Sequence, residues 1–323
     1  MKHAGRWIAA LGLMLAAALF VSEGVAPVAV LLSSAGAGLL VAAAVHVVPM
    51  LFNARAWQRV LPSTGAASWP AVAVAVWIRE SVNGLLPVAR IGGEIASYRW
   101  LVRRGVPPST VAASLVVDMA VALASQAVFC LLGVLLLARL RVASPLLLQL
   151  AIGAGVLVLP VIAFAMLQKT RRIERLLARI ESALANRWAG VIERSERVDR
   201  AVRDLCGDRR RLAACFGWQV AGWMAGAGEI WLALHYLGHD ATLEQALLIE
   251  AVIQMISSVA FVVPGALGLQ EAGFLAIGAA LGIDGPTALA LSVARRVRDI
   301  AIFFPGLLAW QWAEATKSVW IRR

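Results

Sequence analysis

The sequence predicts an all-α, polytopic integral membrane protein with about six full transmembrane helices plus two inverted-repeat re-entrant helical hairpins. Three observations lead there. The 323 residues are 61% apolar and only 15% charged, with a mean hydropathy of +0.79. A soluble chain carries about 25% charged residues, so the solvent implied is a bilayer. One stretch also occurs twice: both copies read Ser-Val, four residues, Pro, six residues, Glu, ten residues, Gly. The copies start at Ser81 and Ser258 and align without a gap at an offset of 177 residues. Pro, Glu and Gly are rare in apolar segments, so their shared spacing weighs more than shared Ala or Val, and duplication organises the reading. Third, Lys and Arg gather in alternate connections. That assigns the formal charge of +11 to a cytoplasmic membrane face rather than to nucleic acid.

Residues 6–21 follow Lys2, His3 and Arg6 and read as a first helix. The same shape fits a signal peptide with a small-residue cleavage site near Gly24-Val25-Ala26. The apolar run that follows at once, residues 28–50, favours a membrane helix. Residues 71–86 and 91–104 are each too short to cross about 30 Å of hydrocarbon at 1.5 Å per residue. Pro87 and several glycines separate them and interrupt a helix. A re-entrant hairpin is the economical reading, and two tilted crossings are the alternative.

Residues 109–138 form a long apolar helix carrying Asp118 and Gln126, and 145–167 form another. Residues 169–211 hold 13 Lys/Arg and seven Asp/Glu, with Ile173, Leu176, Leu177, Ile180 and Leu184 at three- and four-residue steps. This is an amphipathic helix, lying either on the cytoplasmic membrane surface or in solvent. Residues 212–237 cross again with Glu229 inside, 246–263 and 269–281 make the second hairpin, and 286–312 form the last helix.

This path gives a single membrane domain over 1–323, with a first repeat at 71–138 and a second at 246–315. Both termini then lie inside, with Arg55, Arg59, Arg103, Arg104, the basic segment and the tail. The outer connections 22–27, 238–242 and 282–285 carry no Lys or Arg; only Arg139 and Arg141 break the rule. The hairpins enter from opposite faces, and the copies are inverted, as in many secondary transporters.

Irregular backbone at membrane depth is tolerated where protein or a wet cavity surrounds it. The half-helices leaving Pro87 and Pro264 point amino ends, with their unpaired N–H groups, at the midplane, and such ends suit an anion. Glu94 and Glu271 either cap those ends or serve a ligand. Arg295, Arg296, Arg298 and Asp299 cluster on the last helix, with Arg295 about 14 Å down it from Pro286. Each arginine near the centre costs roughly 2.5–3.5 kcal/mol. Either they line a phosphate-coordinating cavity, or they pair internally with Asp299, Asp118 or Glu271. Asp299 lies within reach of Arg295 and Arg296, and the repeat sets Asp118 opposite Arg295. Arg79, Glu80, Asn83 and Arg90 make a second polar group around the Pro87 break, with Arg79, Asn83 and Arg90 as candidates for head-group contact. His235 and His239 share a face but lack further metal ligands. Cys130, Cys206 and Cys215 lack disulfide or zinc spacing. No metal or cofactor is expected, and no P-loop, nucleophile elbow or zinc-protease motif is present.

Val82-Asn83-Gly84-Leu85-Leu86-Pro87, Gly92-Gly93-Glu94 and Pro264-Gly265-Ala266-Leu267-Gly268-Leu269-Gln270-Glu271 resemble the lysylphosphatidylglycerol synthase transmembrane-domain family, also called the flippase-like domain. Within it, Arg79-Glu80-Ser81-Val82-Asn83 and Val88-Ala89-Arg90-Ile91-Gly92-Gly93-Glu94 look most like the hopanoid-biosynthesis-associated, HpnL-like branch. The resemblance spans nearly the whole chain. It implies a bacterial inner-membrane protein that moves lipids between leaflets, with a hopanoid or an anionic lipid head group as partner. It leaves open homo-oligomers and association with hopanoid-pathway proteins. The aminoacylating domain of some relatives is expected to be absent, and with it enzyme activity. The rival expectations are a membrane enzyme that uses Glu94 and Glu271 as acid and base, and a non-transporting scaffold for hopanoid enzymes.

Overall fold

A computed structural model describes residues 2–62, 65–86, 91–139, 152–153, 155–156, 158–159, 162–163, 189–259, 263 and 266–320. Helices dominate, and no strand occurs among the described residues. Twelve helices are numbered here: α1 Lys2–Glu23, α2 Val25–Ala35, α3 Gly38–Val45, α4 Val47–Arg59, α5 Trp69–Leu85, α6 Gly92–Arg103, α7 Pro108–Arg139, α8 Ala189–Gly207, α9 Arg209–Tyr236, α10 Leu243–Val259, α11 Leu269–Leu281 and α12 Gly285–Trp320. Pro87, Arg90, Arg141 and Pro264, the helix expected at 145–167 apart from short pieces, and the apolar stripe from Ile173 to Leu184 lie outside the described residues.

The second predicted helix is in pieces. The chain bends by 88° between α1 and α2 and breaks again at Gly36. Gly24 (φ +88°) and Gly36 (φ +49°) adopt backbone that side chains disfavour; Gly24 lies in the connection expected at 22–27, while Gly36 ends a helix that hydropathy alone would run straight through. Among the described residues two segments suffice by length and apolarity to cross a membrane, Gly38–Arg59 and α7, and the bent pair Leu11–Glu23 with Val25–Ala35 would make a third. The helix expected at 145–167 lies mostly outside the described residues. α9 and α12 are long enough, but Gln219, Glu229, His235 and several glycines and tryptophans lower the hydropathy of one, and Arg295, Arg296, Arg298 and Asp299 dilute the other. The chain is nevertheless a multi-pass membrane protein. Leu13, Val30, Leu40, Leu135 and Trp312 are all more than half exposed, an apolar surface that water would not tolerate.

The two copies of the repeat fold alike locally. α5 and α6 pack together and lead into α7; α10 and α11 pack together and lead into α12. Gly92 and Leu269 open the second helix of each pair, and Pro108 and Gly285 open the long helices, at the same 177-residue offset. The shared glycine now has a reason. Gly105 (φ +93°) and Gly282 (φ +76°) follow the short helices α6 and α11 in left-handed backbone. In both, the next residue closes the same bond, Val106 N–H to the Leu101 carbonyl and Ile283 N–H to the Gly278 carbonyl. This is the six-to-one closure of a Schellman end, which satisfies carbonyls the helix leaves unpaired.

Lipid gives helices no hydrophobic reason to associate, so close backbone approach at small residues must hold them. α4 lies along α9, where a Cβ at Gly222 would sit 2.8 Å from Asn53 Oδ1. α12 crosses α5 at Gly306, where a Cβ would meet Trp77 Nε1 at 2.8 Å. That indole donates to the Ile302 carbonyl at 2.7 Å, close to Pro305, which interrupts the α12 ladder. Trp57 of α4 is fully buried and donates to Ser114 Oγ of α7 at 3.1 Å.

α8 turns the apolar side of its described half toward protein. Val202 is buried, and Val198, Ala201, Leu205 and Cys206 pack against the cluster that holds Val111 and Val117 of α7. Arg139, an exception to the charge rule, pairs with Glu244 at 3.3 Å.

Gly93 and Gly228 give opposite expectations. A Cβ at Gly93 would lie 2.6 Å from Asn83 Oδ1 and inside contact distance of the Arg79 carbonyl. Gly93→Ala should cost about 1–3 kcal/mol by overpacking. A Cβ at Gly228 meets only Val45 Cγ1, at 3.9 Å, so Gly228→Ala should stabilise by about 0.5–1 kcal/mol through helix propensity. Thermal unfolding in detergent should move in opposite directions for the two variants.

Candidate functional site

Two groups of ionisable side chains sit inside the helix assembly. The first forms where α5, α6, α7 and α9 meet. α5 and α7 are apolar on most faces, so their polar residues turn inward. Arg79 of α5 is buried, and its Nη1 donates to Asp118 Oδ2 of α7 at 2.8 Å. Its guanidinium lies over the Trp57 ring at 5.3 Å, which supplies a cation–π contact. Gln219 of α9 donates to the other Asp118 oxygen at 3.0 Å. Glu80 and Glu94 stand 3.6 and 3.9 Å from Arg79 Nε. Asn83 bridges the hairpin: its Oδ1 accepts from Gly93 N–H at 2.8 Å, and its Nδ2 donates to Glu94 Oε1 at 3.4 Å. One arginine thus faces three carboxylates.

The second group radiates from α12. Arg295 donates through both terminal nitrogens to Glu250 of α10, at 2.8 and 3.4 Å. Arg296 reaches Glu271 of α11 at 3.0 Å. Arg298 donates to Glu229 of α9 at 2.8 Å and holds Asp299 at 2.6 and 2.9 Å. Its Nη1 also stands 2.8 Å from Nδ1 of His46, the residue between α3 and α4. Arg295 and Arg298 are about 95% buried, whereas the Arg296 side chain keeps 23% of its surface. Successive α-helical residues point about 100° apart, so three arginines within four positions reach three different neighbours.

Of the sequence-predicted residues, Arg79, Asn83, Glu94 and Asp118 come together in the first group. Glu271, Arg295, Arg296, Arg298 and Asp299 come together in the second. Arg90 lies outside the described residues. Two expected pairings are replaced. Asp118 is taken up by Arg79 and Gln219, while Arg295 is taken up by Glu250, so these two do not face one another. Asp299 pairs with its neighbour Arg298 rather than with Arg295 or Arg296. Glu271 caps as well as pairs: its Oε2 accepts from Gly268 N–H at 2.7 Å, while Oε1 holds Arg296.

Sequence reasoning missed Glu250 and His46 and gave Glu229 no partner. The signal for Glu250 was present, because an acid inside an apolar helix is as costly as the arginines that were flagged. His235 stacks on Trp231 and meets the edge of Tyr236. Beside the second group, a cleft lined by Leu39, Ala42, Ala43, Glu229, Ile230, Ala233, Leu291, Ala294 and Arg295 has room for about one water. Arg295 lines this cleft with its guanidinium held by Glu250.

A helical, multi-pass membrane protein with buried, mutually neutralising charge is the class these features define. Residues 7–307 match the family described as the lysylphosphatidylglycerol synthase TM region, and the chain belongs to that family. Membership places it among membrane proteins involved in lipid or lipid head-group handling. No curated protein and no solved structure matches the chain.

The pairing has a measurable price. Arg295→Leu alone leaves Glu250 buried without its partner and should destabilise by about 3–5 kcal/mol. Replacing both with leucine should recover most of that loss, because an apolar pair removes the desolvation penalty on both sides. Unfolding of the two single variants and the double variant in detergent measures the difference as a coupling energy.

Proposed function

We propose that this protein moves a lipid with an anionic head group between the leaflets of the bacterial inner membrane, with both termini cytoplasmic. The observation that carries the reading is the set of three arginines on α12, each holding a carboxylate from a different helix. A phosphate oxygen makes the same charge-assisted bonds as a carboxylate and fits the planar guanidinium fork. An anionic head group that takes Arg296 or Arg298 releases Glu271 or Glu229, and with it the hold of α12 on α11 or α9. Arg296 keeps the most exposed surface of the three and is the natural first contact.

The rest of the cycle follows the topology the sequence predicts. Six crossings and two inverted hairpins place the broken helices at the midplane, and rocking of one repeat against the other exposes the charged group to alternate faces. The acyl chains stay in the bilayer throughout. An anionic phospholipid or a phosphorylated carrier lipid fits the arginines. A hopanoid bearing an amine would instead use the acidic excess around Arg79, where Glu80, Glu94 and Asp118 gather.

Reconstitution into liposomes with labelled lipids tests this. Transbilayer movement of an anionic lipid should exceed that in protein-free liposomes. Arg296→Gln should slow it about tenfold, the worth of one charge-assisted hydrogen bond. Movement no faster than in protein-free liposomes for anionic, zwitterionic and hopanoid lipids alike would sink the proposal. A mass shift in the extracted lipid would point instead to head-group chemistry.

A further inference from the structure

Inside the second group, three atoms make a triangle. His46 Nδ1, Glu229 Oε2 and Arg298 Nη1 lie 2.8 Å from one another along every edge. With Glu229 ionised, neither protonation state of Nδ1 satisfies all three edges. With Nδ1 bare, Arg298 donates to both the ring and the carboxylate, but a nitrogen lone pair then faces a carboxylate lone pair at hydrogen-bond distance. With Nδ1 protonated, the ring donates to Glu229, but an N–H then faces the Arg298 N–H donors at the same distance. Moving the neutral ring's proton from Nε2 to Nδ1 gives the second arrangement, not a third.

The surroundings determine which edge yields. Arg298 keeps two bonds to Asp299 through Nε and Nη2, and its guanidinium lies 5.9 Å from the Phe303 ring. His46 meets the same ring edge-on at 5.8 Å. Arg298 Nη1 is therefore the member that swings away when the ring gains a proton, giving up Glu229 as well as the ring, with Asp299 still holding Nε and Nη2. The charges that face the ring are Glu229 of α9 and Arg298 and Asp299 of α12; Arg295 and its partner Glu250 of α10 stand behind them. His46 also sits between α3 and α4 inside the single span Gly38–Arg59, where its N–H bonds to the Ala43 carbonyl three residues back, so a change in its contacts acts on a turn where the α-helical ladder tightens.

We infer that His46, Glu229 and Arg298 form a proton-binding site in which loading His46 Nδ1 exchanges both contacts of Arg298 Nη1, to the ring and to Glu229, for a ring–Glu229 bond and shifts the α3–α4 joint relative to α12. The ligand is a proton and no covalent step is involved. The site gives the protein a means of coupling a conformational step to a proton gradient; that consequence rests on the transport reading, while the site itself does not.

The chain has four histidines, so a histidine-labelled full-length sample in nanodiscs gives a small, assignable set of ring resonances, with His46→Gln identifying the one of interest. Spin labels at the exposed positions Leu40 on α3 and Ile300 on α12, with the cysteines replaced, report the joint in the same pH series. The expected result is a His46 ring that titrates at Nδ1 and a label distance that changes with the same midpoint, both lost in His46→Gln. Glu229→Gln provides a second variant in which the ring still titrates but the distance no longer follows. A ring that does not titrate while the protein stays folded, or one that titrates with no change in distance, would overturn the inference. So would a distance change that persists in either variant. Lipid movement is scored separately: its absence alongside an intact titration and distance change supports the proton site and counts against the transport reading.

Discussion

Everything in this assembly depends on neutralising guanidinium groups where water is scarce. Burying one ion costs several kcal/mol even after relaxation, and the cost is recovered only when the partner is close and well oriented. α12 meets that requirement by spending a different helix on each arginine: α10 for Arg295, α11 for Arg296 and α9 for Arg298. The same requirement that keeps the charges tolerable therefore decides which helices neighbour α12. In the first repeat the signs are reversed, with a single arginine, Arg79, gathering carboxylates around itself. The two groups differ in slack. Around Arg79 the contacts to Glu80 and Glu94 are long, whereas α12 holds most of its partners at direct hydrogen-bond distance.

Much of this was legible in the sequence, for reasons that can be named. α7 and α11 lie almost where hydropathy puts them, because an uninterrupted apolar run leaves a helix few other options in oil. The duplicated Gly marked the helix ends, since left-handed backbone at Gly105 and Gly282 requires it. The arginines stood out because their cost can be computed from type and position alone. Their partners could not be read off. Glu250 lies 45 residues before Arg295, and His46 lies 252 residues before Arg298. Nothing in local spacing joins them; packing does. Asp299 was the local candidate for Arg295, yet a carboxylate on another helix took the position.

The break at Gly36 was hidden for a different reason, whereas the one at Gly24 fell inside the connection expected at 22–27. A hydropathy window sums side chains and is blind to φ, so a glycine in an apolar run looks like continuity. α8 shows the converse. A high charge count with a regular apolar stripe describes a helix at a lipid surface and a helix docked on protein equally well. Only the burial of Val202 against the cluster around α7 separates the two for the described half.

Pro305 divides α12 into two working lengths. Before it come the arginines that grip α9, α10 and α11, and α5 meets the helix on both sides of it, at Ile302 and Phe303 and again at Gly306. Beyond it Glu314 binds Arg103 at the end of α6. The proline thus removes a rung of the ladder where the helix changes the neighbours it holds, so the charged length and the tail length need not share one straight axis.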